Sequence, residues 1–190
     1  AYHGPVESRA NNVLKAVVET VDRMAPVLGR DTGEPVTVTI YNNRREMAVA
    51  LPPGSRAARR ELVTEGQATA EFGTILLLGG ARGTSGIAAH EATHILVHRV
   101  GDSVFQRVPL WLNEGLAEYA NGNPGTQYQR ALEFAISAGR LLPSFLRAYP
   151  GSSEATIVFY GQSRSFVRFM IDTFGAARMK RLMETLKSGK

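Results

Sequence analysis

The sequence predicts an α+β fold: a small mixed helix-and-strand part over residues 1–83, then a mostly helical part over 84–190, within one domain. Three observations lead there. Runs rich in β-branched and aliphatic residues, Pro35–Tyr41 and Thr74–Leu78, fall before residue 80. Beyond Gly83 the apolar residues recur at three- and four-residue spacing. At the boundary, one helical stretch carries His90, Glu91 and His94, the residue types that do chemistry. A chain of 190 residues, 44% hydrophobic and 21% charged, is long enough to bury one sizeable core.

Taken in order, Val6–Leu28 reads as an amphipathic helix with Val13, Leu14, Val17, Val21 and Met24 on one face. Gly29–Glu34 turns into a strand over Pro35–Tyr41. Asn42 is placed to cap a short helix through Leu51, which Pro52-Pro53-Gly54 stops. Arg56–Gly66 is polar and without clear periodicity. Ala68–Phe72 and Thr74–Leu78 read as two strands or one bent strand, with the apolar run Ile75–Leu78 buried. After the loop Gly79–Thr84, a helix runs from about Ser85 to Val100, with Gly101 as its stop. Further helices follow over Leu110–Ala120, Thr126–Ala138, Thr156–Phe174 and Ala176–Leu186, the last two broken at Gly175.

Composition excludes several classes. With no cysteine there are neither disulfides nor thiolate ligands, so any transition metal must be held by His, Asp or Glu. The formal charge of +5 comes from scattered Lys and Arg, with no basic run interleaved with aromatics, so no nucleic-acid partner is expected. No apolar run approaches the length of a transmembrane segment. The opening Ala1-Tyr2-His3-Gly4-Pro5 lacks the basic cluster and apolar run of a signal peptide, and it also lacks an initiator Met, so the compartment stays open.

His90-Glu91-Ala92-Thr93-His94 is an H-E-x-x-H motif on a predicted helix. Residues four apart share a helix face, one turn up, so the two imidazoles can converge on one ion. Catalytic zinc takes three protein ligands at about 2.0–2.1 Å and keeps a fourth position open. Glu91, beside His90, is placed as general base for a water molecule. Trp111-Leu112-Asn113-Glu114-Gly115-Leu116-Ala117-Glu118-Tyr119 puts a carboxylate on the next helix, with nineteen residues between His94 and Glu114. Glu114 and Glu118 share a face, and either can supply the third ligand or orient a histidine. His98 stands about 12 Å from His90 along the axis, too far for all three histidines to share one ion. His3 has no partner in view.

Together, H-E-x-x-H and W-L-N-E-G-L-A-E-Y resemble the gluzincin branch of the zincins, and most closely the small bacterial peptidase-MA-like domains. Phe159-Tyr160-Gly161-Gln162-Ser163-Arg164-Ser165-Phe166-Val167 resembles the family's downstream helix, and Phe174-Gly175 its end. The resemblance implies a zincin-like fold and peptide-bond hydrolysis with one zinc ion, held by His90, His94 and Glu114. It implies Glu91 as base and Tyr160 as hydrogen-bond donor to the developing oxyanion. It also implies a peptide or protein substrate paired along an edge strand, placed at Thr74–Leu78, and is compatible with an exported or membrane-anchored precursor. Trp111 and Tyr119 are read as packing residues, and Asn113 as a cap or support. One departure stands out. The G-x-M-E-N segment of the related aminopeptidases is absent from Gly66–Gly73, where Glu71 is a weak stand-in, and this favours an endopeptidase. The alternative is an inactive or latent zinc-binding module; an intact Glu91 argues against it.

Overall fold

The computed structural model describes residues 7–29, 33–51, 65–101, 107–122, 124, 126–143, 146 and 148–189. His3, the Pro52-Pro53-Gly54 stop and nearly all of the polar stretch 56–66 lie outside them. Helix α1 spans Glu7–Leu28, strand β1 Thr37–Tyr41 and helix α2 Arg44–Ala50. Strand β2, Gly66–Thr69, leads through a single 3-10 turn, Ala70–Phe72, into strand β3, Thr74–Leu78. Five helices follow: α3 Thr84–Val100, α4 Leu110–Ala120, α5 Gln127–Ser137, α6 Ser153–Phe174 and α7 Ala176–Ser188. The α+β class is as expected: mostly helix, with one small mixed sheet.

Local chemistry sets several boundaries. Asn43, one residue past the expected Asn42, caps α2: its Oδ1 accepts the Glu46 N–H at 3.0 Å and its Nδ2 donates to the Glu46 carboxylate at 2.8 Å. Helix α6 starts three residues before the expected Thr156, because Ser152 accepts the Ala155 N–H. The expected strand Ala68–Phe72 is instead the end of β2 plus the 3-10 turn. Gly73, at φ 57°, supplies the left-handed residue that reverses the chain.

The sheet order is β1-β3-β2, with β1 parallel and β2 antiparallel to β3. This corrects the edge strand. Thr74–Leu78 is the central strand, and the edge facing the helical half is Gly66–Thr69. The apolar run Ile75–Leu78 is buried on both faces, as a central strand requires. No further strand among the described residues pairs with β2.

Two main clusters share the interior. In one, Val13 and Val17 of α1, Ile40, Ile75 and Leu77 of the sheet, and Ala88, Ala92 and Ile95 of α3 pack together. In the other, Met24 and Val27 of α1 meet Val97 of α3, Leu112 and Leu116 of α4, Val167 of α6, and Met179 and Met183 of α7. The buried face of α1 thus runs Val13, Val17, Thr20, Met24, Val27, while Leu14, expected on it, is 59% exposed. Helix α3 contributes to both clusters and is fixed between sheet and helices, so its remaining face can carry polar groups rigidly. Where α4 crosses α6, a Cβ on Gly115 would stand 2.5 Å from the Ser163 carbonyl oxygen and 2.6 Å from Val167 Cγ2. Only glycine permits that approach, and it brings α6 up to the site. No helix among the described residues is long and apolar enough to cross a membrane.

Candidate metal centre

His90 and His94 leave α3 one turn apart, and their Nε2 atoms meet at 3.1 Å. Glu114, from the first turns of α4, completes a triangle: its Oε2 lies 3.4 Å from His90 Nε2 and 3.7 Å from His94 Nε2. Donors about 2.0–2.1 Å from a tetrahedral ion stand about 3.3–3.4 Å apart. The three separations bracket that value. Glu114 is 2% exposed, and its Oε2 has no hydrogen-bond partner. A buried carboxylate oxygen is costly to leave bare, and a cation at the centre of the triangle would satisfy it. These three residues can hold a metal ion. His98, one turn further along α3, is not in the group.

Each donor has a supporting partner. His90 Nδ1 meets Glu118 Oε1 at 2.9 Å. A carboxylate only accepts, so the Nδ1 proton points at Glu118 and Nε2 is the nitrogen turned to the triangle. His94 Nδ1 faces Asn113 Oδ1 at 3.2 Å, which selects the same tautomer. The Tyr149 hydroxyl donates to Glu114 Oε1 at 2.5 Å. Such partners fix ligand orientation and basicity. Glu118, left open between third ligand and orienting residue, lies outside the triangle and against His90 Nδ1, and Asn113 lies against His94 Nδ1. Trp111 and Tyr119 pack against the helical cluster, as expected.

Neighbouring charges shift two members of this group in opposite directions. Burial alone would push the His90 pKa down, but the neighbouring carboxylates of Glu114 and Glu118 overcome it and hold it well above the ordinary value. Burial would push Glu114 up; the neighbouring His94 and His90 and the Tyr149 hydrogen bond instead lower it to about 2.

Glu91 faces the sheet. The Ala68 N–H donates to its Oε2 at 2.7 Å. In an antiparallel ladder alternate residues point their N–H away from the partner strand. Ala68 is one of these, so Glu91 sits on the outer rim of β2. A Cβ on Gly66 would lie 2.9 Å from Glu91 Oε1 and 2.4 Å from Ile87 Cγ2, so glycine is required for α3 to lie this close.

Tyr160 of α6 places its ring 6.0 Å from that of His90, edge to face. Around it stand Tyr128 at 5.7 Å, Phe159 at 6.2 Å and Tyr149 at 6.3 Å. Burial, then the Glu114 charge, pushes its phenol pKa far up, so the hydroxyl keeps its proton as a donor. The structure therefore brings His90, His94, Glu114 and Tyr160 together, with Glu91 on the adjoining strand rim. Sequence reasoning missed Tyr149 and the Ala68 N–H. The first lies in a connection without periodicity, and the second is main chain.

In a mostly helical α+β chain, the central helix and its neighbour thus converge three side chains on one ion-sized triangle, a candidate metal site. Residues 16–190 match the model of the Peptidase MA superfamily, and the chain belongs to that family. It matches no curated protein and no solved structure.

Proposed function

We propose that the chain is a zinc-dependent peptidase of the gluzincin kind, with His90, His94 and Glu114 holding one zinc ion. The observation that carries this reading is the donor triangle around the bare, buried Glu114 Oε2. When bound, the ion supplies Lewis acidity that polarises a carbonyl and makes water more acidic. Glu91 is the general base, taking a proton from the attacking water at its carboxylate and later giving one to the leaving amine. Tyr160 donates its phenolic O–H to the oxygen on which negative charge develops. Its depth among Tyr128, Tyr149 and Phe159 keeps water from competing for that bond.

Substrate is an extended peptide laid along the outer edge of β2, displacing the side-chain partners Glu91 and Gln67 from Ala68 as it passes over Glu91. Main-chain pairing of that kind reads peptide backbone and demands little of side chains. The absence of a G-x-M-E-N segment from 66–73 favours internal cleavage over removal of N-terminal residues.

The test is to incubate the zinc-loaded protein and its Glu91→Gln variant with a diverse peptide mixture and identify products by mass spectrometry. New internal termini from the parent alone are the expected outcome. Loss of single N-terminal residues would turn the reading to an aminopeptidase. Products from both proteins alike would remove Glu91 from its role.

A further inference from the structure

The three donors differ in where their support comes from. Glu118 and Asn113, which orient His90 and His94, are on α4, the helix of Glu114 itself. Tyr149 is on neither α3 nor α4. It lies in the connection ahead of α6, and its ring rests against Phe159 at 6.2 Å and Tyr160 at 6.3 Å. From there its hydroxyl reaches Glu114 Oε1.

We propose that Tyr149 is a positioning residue for Glu114: by occupying Oε1 it leaves Oε2 alone to face the two histidines. The proposal rests on the reading of His90, His94 and Glu114 as the metal-holding set. A carboxylate with both oxygens free can take an ion with either or both. Here the short bond from Tyr149 commits one oxygen and fixes the plane of the carboxylate, while the other, buried and unpartnered, points into the triangle. Tyr149 touches no reacting atom on this account. Its contribution is to the order and strength of the metal site, and it ties that site to the aromatic cluster holding Tyr160.

The experiment compares the parent with Tyr149→Phe, which keeps the ring and removes only the hydroxyl, and with Tyr128→Phe. The latter removes another phenol from the same cluster, one with no hydrogen bond to Glu114. Zinc affinity is read by competition with a chelator, and the visible spectrum is recorded with cobalt in place of zinc. Thermal unfolding of each metal-free protein checks the fold. The expected result is a roughly 10- to 100-fold loss of zinc affinity in Tyr149→Phe alone. Its cobalt absorption should also weaken, because a carboxylate freed at Oε1 can bind with both oxygens and raise the coordination number. Equal affinity and spectra in Tyr149→Phe and parent overturn the positioning role while leaving the metal set intact. Equal losses in both tyrosine variants also overturn it, since they mark general loosening of the cluster. If the parent itself binds no zinc or cobalt, the metal-holding set falls and this proposal with it.

Discussion

On the α3–α4 side of the site, His90, His94 and Glu114 each lean on another side chain: Glu118, Asn113 and Tyr149. On the strand side, Glu91 leans on main chain, the outward N–H of Ala68 beside the bare Cα of Gly66. The difference separates two tasks. A donor triangle has to hold both geometry and charge, and polar partners supply both, each open to change one at a time. A carboxylate that works on a peptide lying along a strand has only to be kept at that strand's rim, and the strand's own backbone does this. Substitutions on the two sides should therefore fail differently: on the helix side through loss of metal, on the strand side with metal retained.

The largest effect belongs to His94→Ala. Removing one of three donors should abolish tight zinc binding and turnover together, as seen by metal analysis after dialysis and by peptide cleavage; stoichiometric zinc in the variant would break the assignment of the triangle. Glu91→Gln comes next. It keeps the shape and removes the proposed base, so turnover should fall about 10²- to 10⁴-fold while zinc content stays that of the parent. Gly66→Ala sharpens the contrast from the strand side. The new Cβ crowds Ile87 Cγ2 and Glu91 Oε1, so these side chains must shift, and Glu91 is expected to leave its place at the rim. A displacement of about 1 Å in a reacting group can cost about 100-fold, so kcat/KM should drop by up to that amount with metal affinity unchanged. Unaltered kcat/KM in a folded variant would show that the base does not depend on this contact.

The two sides were also unequally legible in the sequence. The four-residue step from His90 to His94 fixes a shared helix face whatever the rest of the chain does, and Glu114 follows once a second helix packs back across α3. Glu118 and Asn113 sit within reach of the histidines for the same reason. The strand rim was harder. The continuous apolar run Ile75–Leu78 carries the mark of a strand buried on both faces, and so of a central strand. Gly66-Gln67-Ala68-Thr69, which forms the real edge, is too short and too weakly patterned to be assigned from propensity. Its pairing depends on the 3-10 turn and Gly73. Tyr149 had no local signal at all: a tyrosine in an aperiodic connection reaches Glu114 only because Gly115 lets α6 close on α4.

The smallest effect tests how charge is shared on the helix side without any metal. In the metal-free protein the His90 pKa is raised in spite of burial, because Glu118 accepts its Nδ1–H and the Glu114 carboxylate stands 3.4 Å from its Nε2. A group whose folded pKa lies above its unfolded value, about 6.5 for histidine, lends its full stability below that value and loses it as pH rises through the folded one. Glu114, lowered to about 2, behaves in the opposite sense: its contribution is present above its unfolded value and fades as pH falls toward 2. The two shifts describe one interaction from its two ends and do not add. Metal-free protein should therefore lose thermal stability on the alkaline side, starting above about pH 6.5. Saturating zinc should remove that decline, because the ion replaces the proton at His90 Nε2. Glu118→Gln, which deletes one of the two carboxylates, should make the metal-free decline shallower and move it toward lower pH. Thermal melts from pH 5 to 9, with and without zinc, decide it. A metal-free melting temperature that is flat above pH 6.5 would mean that the His90 proton is not shared with the two glutamates, and would leave Glu118 as a hydrogen-bond acceptor with no electrostatic part in the site.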